Sequence, residues 1–336
     1  MAFIHNIQHR LWNNVQYKFS TVFCSLYVVL FLGNSSGNKI LWYIFVSILL
    51  SIGVAGMGYA LNDYHDYEDD IKNGKQNLFI NFSRPASVLL VILFLTLSVF
   101  PWFILPFDRY SLYLILLEFF LFIVYALPPF RLKEKGFLGV LTDALYAQVV
   151  PCVLAAYTYS KIENKVSFPV FFVLIYLGWL ILTGIRNILN HQLEDYDNDR
   201  NTNTHTFVTK YGLSFTRQWV MRLLVPAELL LFLPLLYFLP QTSHLFLYAY
   251  LVYVGAYYIK EKVRKKDLLE DQHEQYDFFN KQILNEFYEI HFPLMLLFYF
   301  SFFQPFFIWI FSLNLLLFFP IYYRYTVGFL KKYLPF

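Results

Sequence analysis

The sequence predicts an all-α fold, a polytopic membrane bundle of about nine helices, and three observations carry that prediction. The first is composition. Of the 336 residues, 58% are hydrophobic and only 15% are charged, against about 25% charged in an ordinary soluble domain. The polar surface is too small to cover a water-soluble globule of this length. The second is continuity: the apolar stretches run for about 20 residues, the length a helix needs to cross the hydrocarbon, without the alternation of a membrane β-barrel. The third is the lopsided distribution of Lys and Arg between alternate loops. Aromatic residues form 22% of the chain, which excludes disorder and coiled coil. The net charge of +3 and the lack of a basic tail exclude nucleic acid as a partner. The two cysteines, Cys24 and Cys152, lie in apolar runs and offer neither a metal spacing nor a disulfide framework.

In chain order, spans are predicted at 19–33, 40–61, 86–105, 111–127, 137–157, 167–189, 219–239 and 244–259, all in one integral domain covering residues 1–336. The polar start MAFIHNIQHRLWNN is unlike a cleaved signal peptide, so the first run is read as a retained span. The tail 290–323 is either one long helix or two helices broken at Gln304-Pro305, which gives nine or ten spans. With the N-terminus inside, 19 Lys and Arg fall on inner segments, Arg186 among them, and 4 on outer loops (Lys39, Arg109, Lys161 and Lys165). Positive charge stays inside, so the loops after even-numbered spans are predicted to be cytoplasmic.

Two of those loops are acidic. The segment Asn62-Asp63-Tyr64-His65-Asp66-Tyr67-Glu68-Asp69-Asp70 holds five of the 23 acids, and Glu194-Asp195-Tyr196-Asp197-Asn198-Asp199 holds four more. On a continuous helix Asp63, Asp66 and Asp70 share one face, as do Asp195 and Asp199. Glu68, Asp69 and Asp197 point elsewhere. Like charges on one face repel unless a cation sits among them. Hard oxygen donors suit Mg²⁺, which is commonly shared with substrate phosphates. One acidic window alone reads equally as a solvated loop. Two windows on one side, each at a span end and each with one-turn spacing, favour a metal site. Basic residues accompany them: Lys75 and Arg84 after the first, Arg200 and Lys210 after the second, and Arg131, Lys133 and Lys135 in a third inner loop. Arg and Lys can bind phosphate oxygens that a metal leaves open. Topology alone accounts for Lys135 and the 260–266 cluster.

The order Asn62-Asp63-x-x-Asp66-x-x-x-Asp70, then Arg84-Pro85, then Tyr125-x-x-Pro-Pro-x-Arg131-x-Lys133, then Asp195-x-x-x-Asp199 resembles the UbiA superfamily of intramembrane prenyltransferases. The resemblance runs from about residue 10 to 300. It departs at His191-Gln192, at Thr206-Phe207-Val208 and in the polar stretch 260–288, which blurs the substrate. It implies a bundle that binds an isoprenyl diphosphate through Mg²⁺ held by Asp63, Asp66, Asp70, Asp195 and Asp199. Asn62, Lys75, Arg84, Arg131, Lys133 and Arg200 would hold the diphosphate. Tyr125, with Tyr64 and Tyr67, would face the allylic cation, and a lipophilic acceptor would capture it in an apolar, water-poor cavity. Among 73 aromatics, packing and lipid contact are the ordinary roles. Glu118, Asp143 and Glu228 lie within or near spans, where charge is costly and often functional. His65 and His191 could serve as bases or as loop residues. Four functions therefore stand side by side: prenyl transfer, terpene cyclisation, phosphoribosyl transfer to a lipid phosphate, and a cation transporter. Mid-membrane acids and inverted repeats would mark the transporter. The acids here lie at span ends and the halves show no clear sequence repeat. Prenyl chain length, acceptor and oligomeric state stay open.

Overall fold

The computed structural model describes residues 13–34, 37–72, 74–75, 77–80, 82–163, 166–238, 243–264, 284–323 and 327. Among them every regular element is helical. Six helices are long and apolar enough to cross a membrane (Lys39–His65, Arg84–Phe103, Arg109–Ala126, Phe137–Ile162, Val170–Glu194 and Leu213–Tyr237), and four shorter apolar helices accompany them. The predicted tail resolves into two helices, Phe292–Phe303 and Phe307–Leu317, which part at Gln304 and Pro305. Proline lacks the N–H of a helical bond and clashes with the preceding turn, so that break was legible at Gln304-Pro305. The basic residues 265, 266 and 281 lie outside the described residues.

The chain divides into two compact units. The first holds 1–131, 150–166 and 288–336. Its described helices are α1 (Asn13–Leu32), α2 (Asn38–His65), the short α3 (Tyr67–Lys72), α4 (Arg84–Val99) and α5 (Arg109–Ala126). It also holds the later half of the fourth of those long helices, residues 150–162, and the two tail helices. Helices α2 and α4 pack backbone to backbone: a Cβ on Gly53 would fall 2.5 Å from the Leu97 carbonyl carbon and the Ser98 nitrogen, and one on Gly56 would enter the Phe94 ring. Small residues at such crossings are how membrane helices gain van der Waals contact when lipid already satisfies apolar surface. Arg84-Pro85 opens α4, since proline is tolerated in the first turn.

The capping residue of α5 is Asp108, which accepts from the backbone N–H groups of Tyr110 and Ser111 and from the Tyr157 hydroxyl at 2.6 Å, with Lys161 Nζ 3.3 Å away. The Tyr157 hydroxyl first, then the Ser111 N–H, hold its carboxyl well below the usual carboxylate range. A depressed carboxyl stabilises the fold above its unfolded value, near pH 4, and loses that contribution as pH falls toward its folded value. Asp108→Asn is therefore expected to lower the melting temperature at neutral pH and to narrow the gap from wild type below about pH 4, read by thermal denaturation in detergent across pH.

The second unit holds 132–149 and 167–287. It comprises α6 (Phe137–Ala144) with a π turn at Leu145–Val149, α8 (Val170–Glu194), α9 (Tyr196–Asn201), α10 (Phe207–Tyr211) and α11 (Leu213–Trp219). A second π turn at Val220–Leu224 leads into α12 (Val225–Phe238), followed by α13 (Ser243–Arg264). The stretch Val150–Ile162 in the first unit takes the label α7. Helices α6 and α8 meet at Gly184, whose added Cβ would lie 2.9 Å from Ala144.

Arg186 requires a correction. It lies inside α8, not in a loop, with its side chain 0% exposed, and it grips Glu228 of α12 with Nε–Oε2 2.7 Å and Nη2–Oε1 3.0 Å. It does not count toward orientation. Its partner, which lets a guanidinium sit among spans, is 42 positions away in sequence. Of the other two acids read as intramembrane, Asp143 accepts from the Tyr146 hydroxyl and Glu118 is buried.

Candidate functional site

The first acidic window does not continue as one straight helix. Helix α2 stops at His65, Asp66 takes φ −89° and ψ 6°, and α3 starts at Tyr67. Backbone bonds bridge the kink: Asp66 N–H donates to Asn62 O (3.0 Å) and Asp70 N–H to Asp66 O (2.8 Å). The shared face expected for Asp63, Asp66 and Asp70 is therefore bent at its middle residue. The kink also eases the charge density, because Glu68, Asp69 and Asp70 now occupy the first turn of a new helix, where the dipole favours anions.

Within this unit the predicted residues separate into distinct environments. Asp63 is fully buried, and its Oδ2 accepts from Leu78 N–H at 2.8 Å. Asp66 faces Arg131, with Oδ1–Nη2 3.5 Å, and Arg131 Nη1 lies 3.1 Å from Nδ1 of His65. Arg131 holds a left-handed φ of 38°, so the loop after Tyr125 turns its guanidinium back to the motif. Asp70 accepts from the Asn77 amide at 2.8 Å, while the same amide nitrogen donates to Asp63 O at 2.7 Å. Asn62, Lys75 and Tyr125 are half-buried; Arg84, Tyr64 and Tyr67 are exposed. Asp69 lies at the surface, 4.0 Å from Lys72.

The second unit repeats the arrangement. Helix α8 stops at Glu194, Asp195 takes φ −87° and ψ 3°, and α9 begins at Tyr196. Asp195 N–H donates to His191 O (3.0 Å) and Asp199 N–H to Asp195 O (2.9 Å). Asp195 is half-buried with His191 Nε2 at 3.9 Å, Asp199 is buried, and Arg200 and Asp197 are exposed. Lys133 is buried in a short turn on which α6 starts, where a Cβ on Gly139 would strike Leu132 O. Asn77 and Gln192 carry hydrogen bonds in these motifs; Asn77 was not singled out from sequence, and Gln192 stood out only as part of a departure from the family pattern, since neither shows its role until its partner is known. Asn77 lies seven positions after Asp70, but α3 ends at Lys72, so helical periodicity does not connect the two.

Mg²⁺ is the cation the sequence resemblance implies, and the donor set fits it. Among the described residues no three His, Cys, Asp or Glu side chains form a closed metal cage. Mg²⁺ commonly takes one or two carboxylates and completes its shell with water and substrate phosphate. Each window offers hard carboxylate oxygens of that kind, at Asp66 and Asp70 and at Asp195 and Asp199.

Comparison with known proteins agrees with the helical architecture. A family model described as the UbiA prenyltransferase family matches residues 21–284. The structure of a UbiA homolog from Archaeoglobus fulgidus bound to GPP and Mg²⁺ aligns with a TM-score of 0.55 and 17% identity, covering 85% of this chain and 98% of that one. The same homolog bound to DMAPP and Mg²⁺ gives 0.54 and 17%, covering 85% and 97%. An apo UbiA homolog from Aeropyrum pernix K1 gives 0.57 and 14%, covering 84% and 98%. No curated protein matches.

Proposed function

Because the chain belongs to the UbiA prenyltransferase family, we propose that it is a Mg²⁺-dependent multi-pass membrane enzyme that ionises an isoprenyl diphosphate and transfers the prenyl group to a lipophilic acceptor. The observation that carries this reading is the pair of Asp-x-x-x-Asp segments, each with a kinked first Asp at the end of a long apolar helix. Solved relatives are described with GPP or DMAPP and Mg²⁺, which supports the substrate class.

In this reading Asp66 and Asp70 hold Mg²⁺ in one window and Asp195 and Asp199 hold it in the other, and the whole chain works as one integral domain. Bound Mg²⁺ neutralises the diphosphate and stabilises it as a leaving group. Arg131 exchanges its contact with Asp66 for phosphate oxygens, where a guanidinium binds in bidentate fashion. Asn62, Lys75, Arg84, Lys133 and Arg200 supply further donors. The Tyr125 ring stabilises the allylic cation by roughly 0.5–2 kcal/mol, and apolar walls keep water from capturing it.

The test is incubation of purified protein in detergent with isoprenyl diphosphates of increasing length, with and without candidate acceptors. Pyrophosphate release is expected with Mg²⁺ or Mn²⁺ and none with chelator, and product mass should equal acceptor plus prenyl. Full turnover in excess EDTA would refute the metal-dependent reading. A cyclised hydrocarbon formed without acceptor would replace transfer by cyclisation.

Orientation follows from the basic residues. With Arg186 removed, 18 Lys and Arg remain on inner segments against 4 outside, so both acidic windows and residues 128–135 are proposed to be cytoplasmic. Cys24 and Cys152 are buried, which keeps background labelling low. Single cysteines at Tyr64, Phe130 and Asp197 should react with an impermeant maleimide only when the inner face is open to the reagent. Reaction of any of them in sealed, right-side-out vesicles contradicts this orientation.

A further inference from the structure

The two acidic windows are copies of one local fold at an offset of 129 residues. Asp66 matches Asp195 at the kink, Tyr67 matches Tyr196 at the first helical position, and Asp70 matches Asp199. The left-handed residues Gly74 (φ 63°) and Asn203 (φ 54°) also match. So do the bonds that close the turns: Lys75 N–H to Asp70 O at 2.9 Å and Thr204 N–H to Asp199 O at 2.8 Å. Asn77 and Thr206 match in turn, each accepting a backbone N–H just ahead with its side-chain oxygen, from Phe79 at 3.0 Å and from Thr209 at 3.4 Å. In this frame Asp63 stands opposite Gln192.

Both of those residues do the same thing. Asp63 Oδ2 accepts Leu78 N–H at 2.8 Å, and Gln192 Oε1 accepts Val208 N–H at 3.4 Å. The separations are 15 and 16 residues. The second loop is one residue longer, and its anchor is one methylene longer. Asp63 is 0% exposed and Gln192 is 5% exposed. Each ties the chain that follows its motif back to the last turn of the preceding long helix. A neutral amide fills this place in one copy, so the place calls for a hydrogen-bond acceptor and not for a charge.

We infer that Asp63 and Gln192 are equivalent positioning residues that set the loops after the two motifs, and that metal-holding falls to the matched pairs Asp66/Asp70 and Asp195/Asp199. The sequence resemblance grouped Asp63 with the metal ligands; the repeat separates it from them. This assignment rests on the proposed function for its metal half and on hydrogen-bond geometry alone for its anchoring half.

The experiment has an arm for each half. In the first, amide exchange is followed by mass spectrometry in peptides spanning Leu78 and Val208, without metal or substrate. Asp63→Ala should speed exchange at Leu78, and Gln192→Ala at Val208, by about tenfold or more, the effect of losing a bond of about 1.4 kcal/mol. Asp63→Asn and Gln192→Glu, which keep an acceptor oxygen, should retain protection, and they serve if the alanine variants fail to fold. In the second arm, binding of geranyl S-thiolodiphosphate, which does not ionise readily, is titrated with Mg²⁺. Asp63→Asn should shift the Mg²⁺ concentration for half-saturation by less than about threefold, and Asp66→Asn by about tenfold or more. An equal shift for Asp63→Asn and Asp66→Asn would make Asp63 a ligand and overturn the assignment. So would unchanged exchange at Leu78 in Asp63→Ala. If wild type binds no analogue at any Mg²⁺ concentration, the proposed function falls, while the exchange arm still decides the anchoring role.

Discussion

Asp66→Asn and Asp195→Asn are each expected to lower turnover by about a hundredfold or more, equivalent to about 2.7 kcal/mol in the barrier. Both residues sit at the kinks that end α2 and α8, half-buried, with Arg131 Nη2 3.5 Å from Asp66 and His191 Nε2 3.9 Å from Asp195. Asparagine keeps the volume and one oxygen but removes the charge that would hold Mg²⁺ in the proposed reaction. Asp69→Asn should change turnover by less than about twofold, because the Asp69–Lys72 contact is a 4.0 Å surface pair of the kind that contributes little. Protein yield should be alike in all three variants. Initial rates at saturating Mg²⁺ decide it. Equal losses at Asp66 and Asp69 would mean that the kinked Asp is not the ligand position, and full activity in Asp66→Asn would remove the first window from the chemistry.

Removing one partner of the Arg186–Glu228 pair should destabilise the protein by about 3–5 kcal/mol, since it leaves an uncompensated buried charge. Both side chains are 0% exposed and share two hydrogen bonds. Glu228→Ala and Arg186→Ala should each show this loss in denaturant titrations in mixed micelles. The double variant Arg186→Leu with Glu228→Leu should recover most of it, because apolar replacement of a buried pair is often neutral or better. A single variant as stable as wild type would show that the pair carries no structural weight. A stable double variant with lost turnover would give it a functional role instead.

Much of the fold could be read from sequence because hydropathy is a local property. Each long apolar run became a helix, and Gln304-Pro305 broke the tail. Orders and spacings of the acids were equally plain, as they depend only on neighbours along the chain. Other features were not legible, and two of them depend on partners elsewhere in the chain. Arg186 counts among the inner basic residues in sequence, although it falls inside the predicted span 167–189, because nothing nearby announces Glu228. Asn77 looks unremarkable until Asp63 and Asp70 are placed against it, and Gln192 and Val208 stand out only as departures from the family pattern until each is seen to be the other's partner. The kinks at Asp66 and Asp195 were hidden because helical spacing continues through them, and the i to i−4 bonds do too. The local repeat was hidden for a related reason. Only Tyr and two Asp are identical between the windows, and the likeness lies in backbone angles and bond partners.

The Arg186–Glu228 pair also bears on how the chain enters the bilayer. A lone Arg at the centre of an inserting helix costs about 2.5–3.5 kcal/mol, and Arg186 is synthesised 42 residues before the group that neutralises it. At about 5–20 residues per second, α8 waits roughly 2–8 seconds for its counter-charge. During that interval α8 carries an unpaired charge, so its lateral release into lipid is expected to be slower than that of an equally long helix without one. The two helices would then leave the insertion channel together as a charge-paired hairpin, with synthesis of α12 preceding release of α8.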